Sequence, residues 1–102
     1  MQNDKFILLN ERIITPYGGT LYRIEAIKSF PGVESGQLGG FIETESNLST
    51  DYNSWVSDDA QVSGDAWVYG DAQVYGDAQV SDDAQVSDDA RVSGDVMAKV
   101  GE

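Results

Sequence analysis

Residues 56–97 read VSDDAQ-VSGDAW-VYGDAQ-VYGDAQ-VSDDAQ-VSDDAR-VSGDVM, one six-residue phrase written seven times. Valine occupies positions 56, 62, 68, 74, 80, 86 and 92. Alanine occupies 60, 66, 72, 78, 84 and 90, with Val96 in the next alanine slot, and aspartate occupies 59, 65, 71, 77, 83, 89 and 95. A fixed period is the first thing to read in a chain, because it dictates a stacked architecture. Period six is neither the strict alternation of a long strand nor the 3.6-residue period of a helix. Within each unit Ala-x-Val has strand character, its two small apolar side chains facing one way and the middle residue the other. The remaining x-Gly-Asp or x-Asp-Asp is a bend. Gly64, Gly70, Gly76 and Gly94 accept a positive φ freely, and Asp58, Asp82 and Asp88 in the same slot are among the side chains that tolerate it. Each hexad is therefore expected to be a short strand followed by a turn.

This phrase, from Ser54 to Val100, resembles the hexapeptide-repeat family of left-handed parallel β-helices. The resemblance implies an all-β fold: a short left-handed parallel β-helix with three hexads per coil, capped by an N-terminal β-rich segment. The chain would be a single domain, 1–102, with 1–53 as cap and 54–100 as repeat. Three hexads per coil predict columns 18 residues apart: Val56 over Val74 over Val92, Val62 over Val80 over Ala98, and Val68 over Val86. The stretch from Leu21 to Trp55, with LYRIEAIKSF and GQLGGFIETESNLS, is similar to the leader of some poorly characterised bacterial and phage-encoded members. Acyltransferases of this family carry a catalytic His and its carbonic anhydrases hold zinc with three His, and this chain has no His.

The first half also reads as β. Lys5–Leu9 is a short strand. Thr20–Phe30 is a second, with Leu21, Ile24 and Ile27 among polar residues, ended by Pro31-Gly32. Gly39-Gly40 precede a third, Phe41–Thr44. Leu48, Ile42 and Ser54 fall on the alanine lattice when it is extended backwards, so the stack is expected to begin before the recognisable repeat.

Charge narrows the function. The chain of 102 residues has 18 acids, 6 bases and a formal net charge of -12. Residues 54–102 carry eleven of the acids and two of the bases. A like-signed surface argues against direct nucleic-acid contact and against anionic membranes, and favours a basic protein surface. The lack of Cys and His removes thiolate nucleophiles, imidazole bases and the usual zinc ligands. No cofactor and no metal is expected, and the chain is not read as an enzyme. Regular Thr ranks, which an ice-binding face would need, are missing. The longest near-apolar run, Phe6–Leu9, is too short to span a bilayer, and a cytoplasmic location is the plain expectation.

The constant positions explain a fold, so recognition is sought in the exceptions. Trp67, Tyr69 and Tyr75 stand where other hexads have Gln or Ser, and Trp and Tyr are frequent interface anchors. With Asp65, Asp71, Asp77, Asp82, Asp83, Asp88 and Asp89 they form the candidate interaction surface. Either that surface meets a partner, or its aromatics pack on a folded-back N-terminal segment. Val96, Met97 and Val100, where the phrase breaks, are a candidate oligomerisation end, through which a homodimer would form. Two functions follow. One is a non-enzymatic acidic protein-binding module, such as a phage-encoded inhibitor of anti-defence or anti-CRISPR type occupying a basic nucleic-acid-binding surface. The alternative is a structural β-helical component of a larger assembly, such as a phage tail or self-stacking scaffold.

Overall fold

The structure, a computed structural model, describes residues 4–15, 19–50, 53–81, 84–87, 91–92 and 97–98, the last two by backbone alone. Three longer strands come first: β1 (Phe6–Ile14), β2 (Thr20–Ala26) and β3 (Leu38–Ile42). A single 3₁₀ turn, Glu45–Asn47, follows. Every hexad then contributes a strand of two residues: β4 (Trp55–Val56), β5 (Gln61–Val62), β6 (Trp67–Val68), β7 (Gln73–Val74), β8 (Gln79–Val80), β9 (Gln85–Val86), β10 (Arg91–Val92) and β11 (Met97–Ala98). The turn slot behaves as its residues require. Gly64, Gly70 and Gly76 sit at φ 65°, 67° and 66°, and Asp58 at 57°.

The strands assemble into three sheets, ordered β1-β2-β3-β5-β8-β11, β10-β7-β4 and β6-β9. All pairs within the repeat are parallel and 18 residues apart: Trp55↔Gln73↔Arg91, Gln61↔Gln79↔Met97 and Trp67↔Gln85. The valine columns inferred from the period are thus real. The expected left-handed parallel β-helix is not. The fold is all-β and compact, with a Cα radius of gyration of 12.0 Å. It holds three small sheets, and no one sheet curls round or closes. Two physical causes account for this. A two-residue strand offers so short a ladder before its Gly/Asp turn that hydrogen bonding stops at each turn and restarts in another sheet. The largest sheet is also mixed, because β1–β2 and β2–β3 pair antiparallel while β3 pairs parallel with β5.

The first half differs in detail from its sequence reading. β1 runs on to Ile14, with a bulge between Leu8 and Arg12 where it opposes β2. β2 stops at Ala26, and Phe30 instead bridges to Val33 across the Pro31-Gly32 turn. Gly39 and Gly40 lie inside β3, not before it. A Cβ on Gly39 would stand 2.5 Å from the Val56 carbonyl oxygen, and one on Gly40 2.6 Å from that of Ala60. Glycine is needed here because two backbones approach closely.

The lattice also shifts. Ile42 pairs with Val62 and Leu48 with Val68, offsets of 20 residues in place of 18. Both are buried, but in the valine columns, not on the alanine lattice the spacing implied. Ser54 does take its alanine place, just ahead of the Trp55 N–H that donates to the Ala72 carbonyl (3.1 Å). Two extra residues therefore enter between Leu48 and Val56. The core is the Val and Ala of the repeat, closed by Phe6, Ile24, Ala26, Ile42 and Leu48.

Candidate functional site

Trp67 is the one large aromatic of the repeat left substantially open, 41 % exposed. It occupies the outward position of β6, since Ala66 and Val68 on either side face the core. Tyr69, two residues on, lies over it: the ring centroids are 4.0 Å apart and the planes 23° off parallel. The Tyr69 hydroxyl donates to Gln85 Oε1 (3.2 Å), and Gln85 is the residue paired with Trp67 across β6–β9. Tyr69 is thus pinned at both ends, by its ring to the indole and by its hydroxyl to the neighbouring strand. A stacked pair of this kind is worth about 0.5–1.5 kcal/mol beyond its burial. The sequence placed Tyr75 in the same surface. The structure puts it after β7, in a different sheet, with no ring contact to either partner among the described residues.

The aspartates separate by what they touch. Asp58, Asp59, Asp65, Asp71 and Asp77 are all exposed. Asp58 Oδ2 accepts the Gly76 N–H (3.0 Å), so this extra acid clips its turn to the turn below it in the ladder. Asp71 Oδ1 accepts the Asn53 N–H (3.4 Å). Asp59 pairs with Arg23 (3.5 Å). Asp65 and Asp77 have no hydrogen bond or ion pair among the described residues. Asp65, Asp71 and Asp77 follow β5, β6 and β7 in turn, so only Asp65 and Asp71 flank the Trp67 strand. Asp82, Asp83, Asp88, Asp89, Val96 and Val100 lie outside the described residues, and of Met97 only the backbone is described.

Three polar residues that composition did not single out tie the two halves together. Arg23, on β2, donates to the carbonyls of Gly39 (2.7 Å) and Asp58 (3.3 Å), pairs with Glu11 (3.0 Å) as well as Asp59, and lies 4.3 Å from the Phe41 ring centre. Lys5 is fully buried, its Nζ donating to the Ser49 carbonyl (2.8 Å) and Ser54 Oγ (3.3 Å), 5.0 Å from the Phe30 ring. Asn47 is also buried and uses both ends of its amide. A base or amide beside the first hexads was the only available signal, and it has no period to reveal it. Trp55, though outward with respect to the repeat, is 3 % exposed because the Phe30 ring meets it edge-on at 5.6 Å. For this tryptophan the folded-back N-terminal segment is the partner.

Among the described residues, no three acidic side chains gather closely enough to hold a metal ion, and no helix is long and apolar enough to cross a membrane. A family model described as the YdcK β-solenoid repeat matches residues 60–76 and 84–98. The matched segments cover less than half of the chain and lie wholly within the repeat. They replace the hexapeptide-repeat left-handed β-helix family expected from the period with a partial likeness to a different β-solenoid repeat. No curated protein matches the chain.

Proposed function

We propose that this chain is a non-enzymatic, acidic protein-binding module whose contact face is centred on β6 and meets a basic protein surface. The observation that carries this reading is the exposed, pre-stacked Trp67–Tyr69 pair standing on the acidic half of a chain of net charge -12. A pinned aromatic pair loses little side-chain freedom on binding and supplies apolar contact, which is how interface anchors act. The surrounding carboxylates add long-range attraction for a basic surface and speed encounter. A partner that itself binds nucleic acid presents such a surface, and occupying it would block that binding.

The test is displacement. A panel of basic nucleic-acid-binding domains is loaded on a fluorescent duplex and titrated with the chain at low and at physiological salt. Displacement that weakens with salt and drops with Trp67→Ala is expected. Failure to displace any domain at low salt, or displacement equally well achieved by polyglutamate of matched charge, sinks the reading.

A further inference from the structure

Basic surfaces present lysine, arginine or both, and the two cations differ at an aromatic site. Resting on the function proposed above, we propose that Trp67, Tyr69 and Asp65 form a site that reads an arginine side chain of the partner. Tyr69 covers one face of the indole at 4.0 Å, so the exposed part of Trp67 is its other face and edge. A guanidinium is planar and weakly hydrated, and it stacks on an aromatic face while its N–H fork stays in plane to meet a carboxylate. An ammonium is compact and strongly hydrated, and gains less from such a surface.

The carboxylate is selected by elimination. Asp58, Asp59 and Asp71 already serve the fold, through Gly76, Arg23 and Asn53. Asp65 is exposed, unengaged among the described residues, and two positions before Trp67 in the turn that leads into β6. Asp77 is equally unengaged but follows β7 beside Tyr75, away from the stacked pair. It is the natural control, having the same charge and turn position without the aromatic platform. Gln85 completes the site by holding the Tyr69 hydroxyl, so the platform exists before the partner arrives.

The test uses the full chain and three otherwise identical extended peptides with arginine, lysine or citrulline at the same positions, followed by calorimetry. The arginine peptide is expected to bind about tenfold more tightly than the lysine peptide, the scale of a partly desolvated cation–π contact. Asp65→Asn and Trp67→Ala should each weaken the arginine peptide about tenfold, with Trp67→Phe intermediate. Asp77→Asn should stay within about twofold. Thermal melts confirm that each variant is folded. If arginine and lysine peptides bind alike, or Asp77→Asn costs as much as Asp65→Asn, the arginine site is overturned. Trp67-dependent binding of both would then leave the acidic-module reading standing. If neither basic peptide binds better than citrulline, both readings fall.

Discussion

Replacing Asn47 by alanine tests how the irregular first hexads are joined to the regular ones. Along the ladder, backbone N–H groups donate to successive carbonyls of the next hexad: Phe41 to Ala60, Glu43 to Val62, Ser49 to Val68. The period calls for the Asn47 N–H to donate to Ala66. The chain turns there, and that N–H goes to the Thr44 carbonyl instead (3.1 Å). The side chain makes up the missing bond. Asn47 Nδ2 donates to the Ala66 carbonyl at 2.7 Å and to that of Gly64 at 3.1 Å. Its Oδ1 accepts from Thr44 N–H (2.8 Å) and Glu43 N–H (3.0 Å). Glu43 keeps a second acceptor in Val62 and Gly64 is at an exposed turn, so the serious losses are the Ala66 oxygen and the Thr44 N–H. At about 1–3 kcal/mol per unsatisfied buried group, Asn47→Ala should cost about 3 kcal/mol. For a domain of this size that lowers Tm by roughly 10–25 °C. Asn47→Asp separates hydrogen bonding from packing. It keeps the shape and the acceptor but sets a carboxylate against two carbonyls, so it should be at least as damaging. Circular-dichroism melts give both numbers, and hydrogen exchange should show faster exchange at Thr44. A loss under about 1 kcal/mol in Asn47→Ala, or a near-native Asn47→Asp, would falsify the account.

Three other outcomes are expected. Gly40→Ala forces a Cβ to within 2.6 Å of the Ala60 oxygen and 2.7 Å of Val56, and should destabilise by about 1–3 kcal/mol or more in chemical denaturation, with Gly32→Ala, at an open turn, a milder contrast set by its φ alone. Asp58→Gly relieves a side chain at φ 57° while losing the Gly76 contact and should be near neutral, whereas Asp58→Ala keeps the strain, loses the contact and should cost about 1–2 kcal/mol. Acrylamide should quench Trp67 and spare Trp55, so Trp67→Phe abolishes most of the quenchable emission; equal quenching of both indoles would contradict the cover that Phe30 gives Trp55.

What the hexad pattern made legible is what it encodes repeatedly. Val and Ala at fixed slots predict buried columns, and an 18-residue register follows once three hexads return to the same face. Gly or Asp at the bend predicts a positive φ, and Asp58 has one. The fold class built on that period overshot. Periodicity constrains which residues stack, but not whether two-residue strands join into one curled sheet, and here they stay in three. The single-copy features were hidden for the same reason. Arg23 and Lys5 looked like ordinary surface bases, Asn47 like a loop residue, and Gly39-Gly40 like a turn. Each acquires its role from a partner 16 to 49 residues away. Of the candidate surface, Trp67 and Tyr69 were visible as departures from the phrase, and they do come together. Tyr75 departs in the same way, but one further turn carries it to another sheet.

β3 has one further consequence. It pairs antiparallel with β2 on one side and parallel with β5 on the other, so it is where the chain changes from hairpin-like to ladder-like pairing. A two-residue strand cannot hold its neighbour unaided, since almost all of its ordering cost falls before any bond is made. The β1–β2–β3 meander, with short loops, can organise first and present a finished edge. Each later hexad then docks on a strand already in place, 18 or 20 residues behind it. Folding thus has a direction that matches the order of synthesis, and the strands near the C-terminus are the last to be secured and the first to be released.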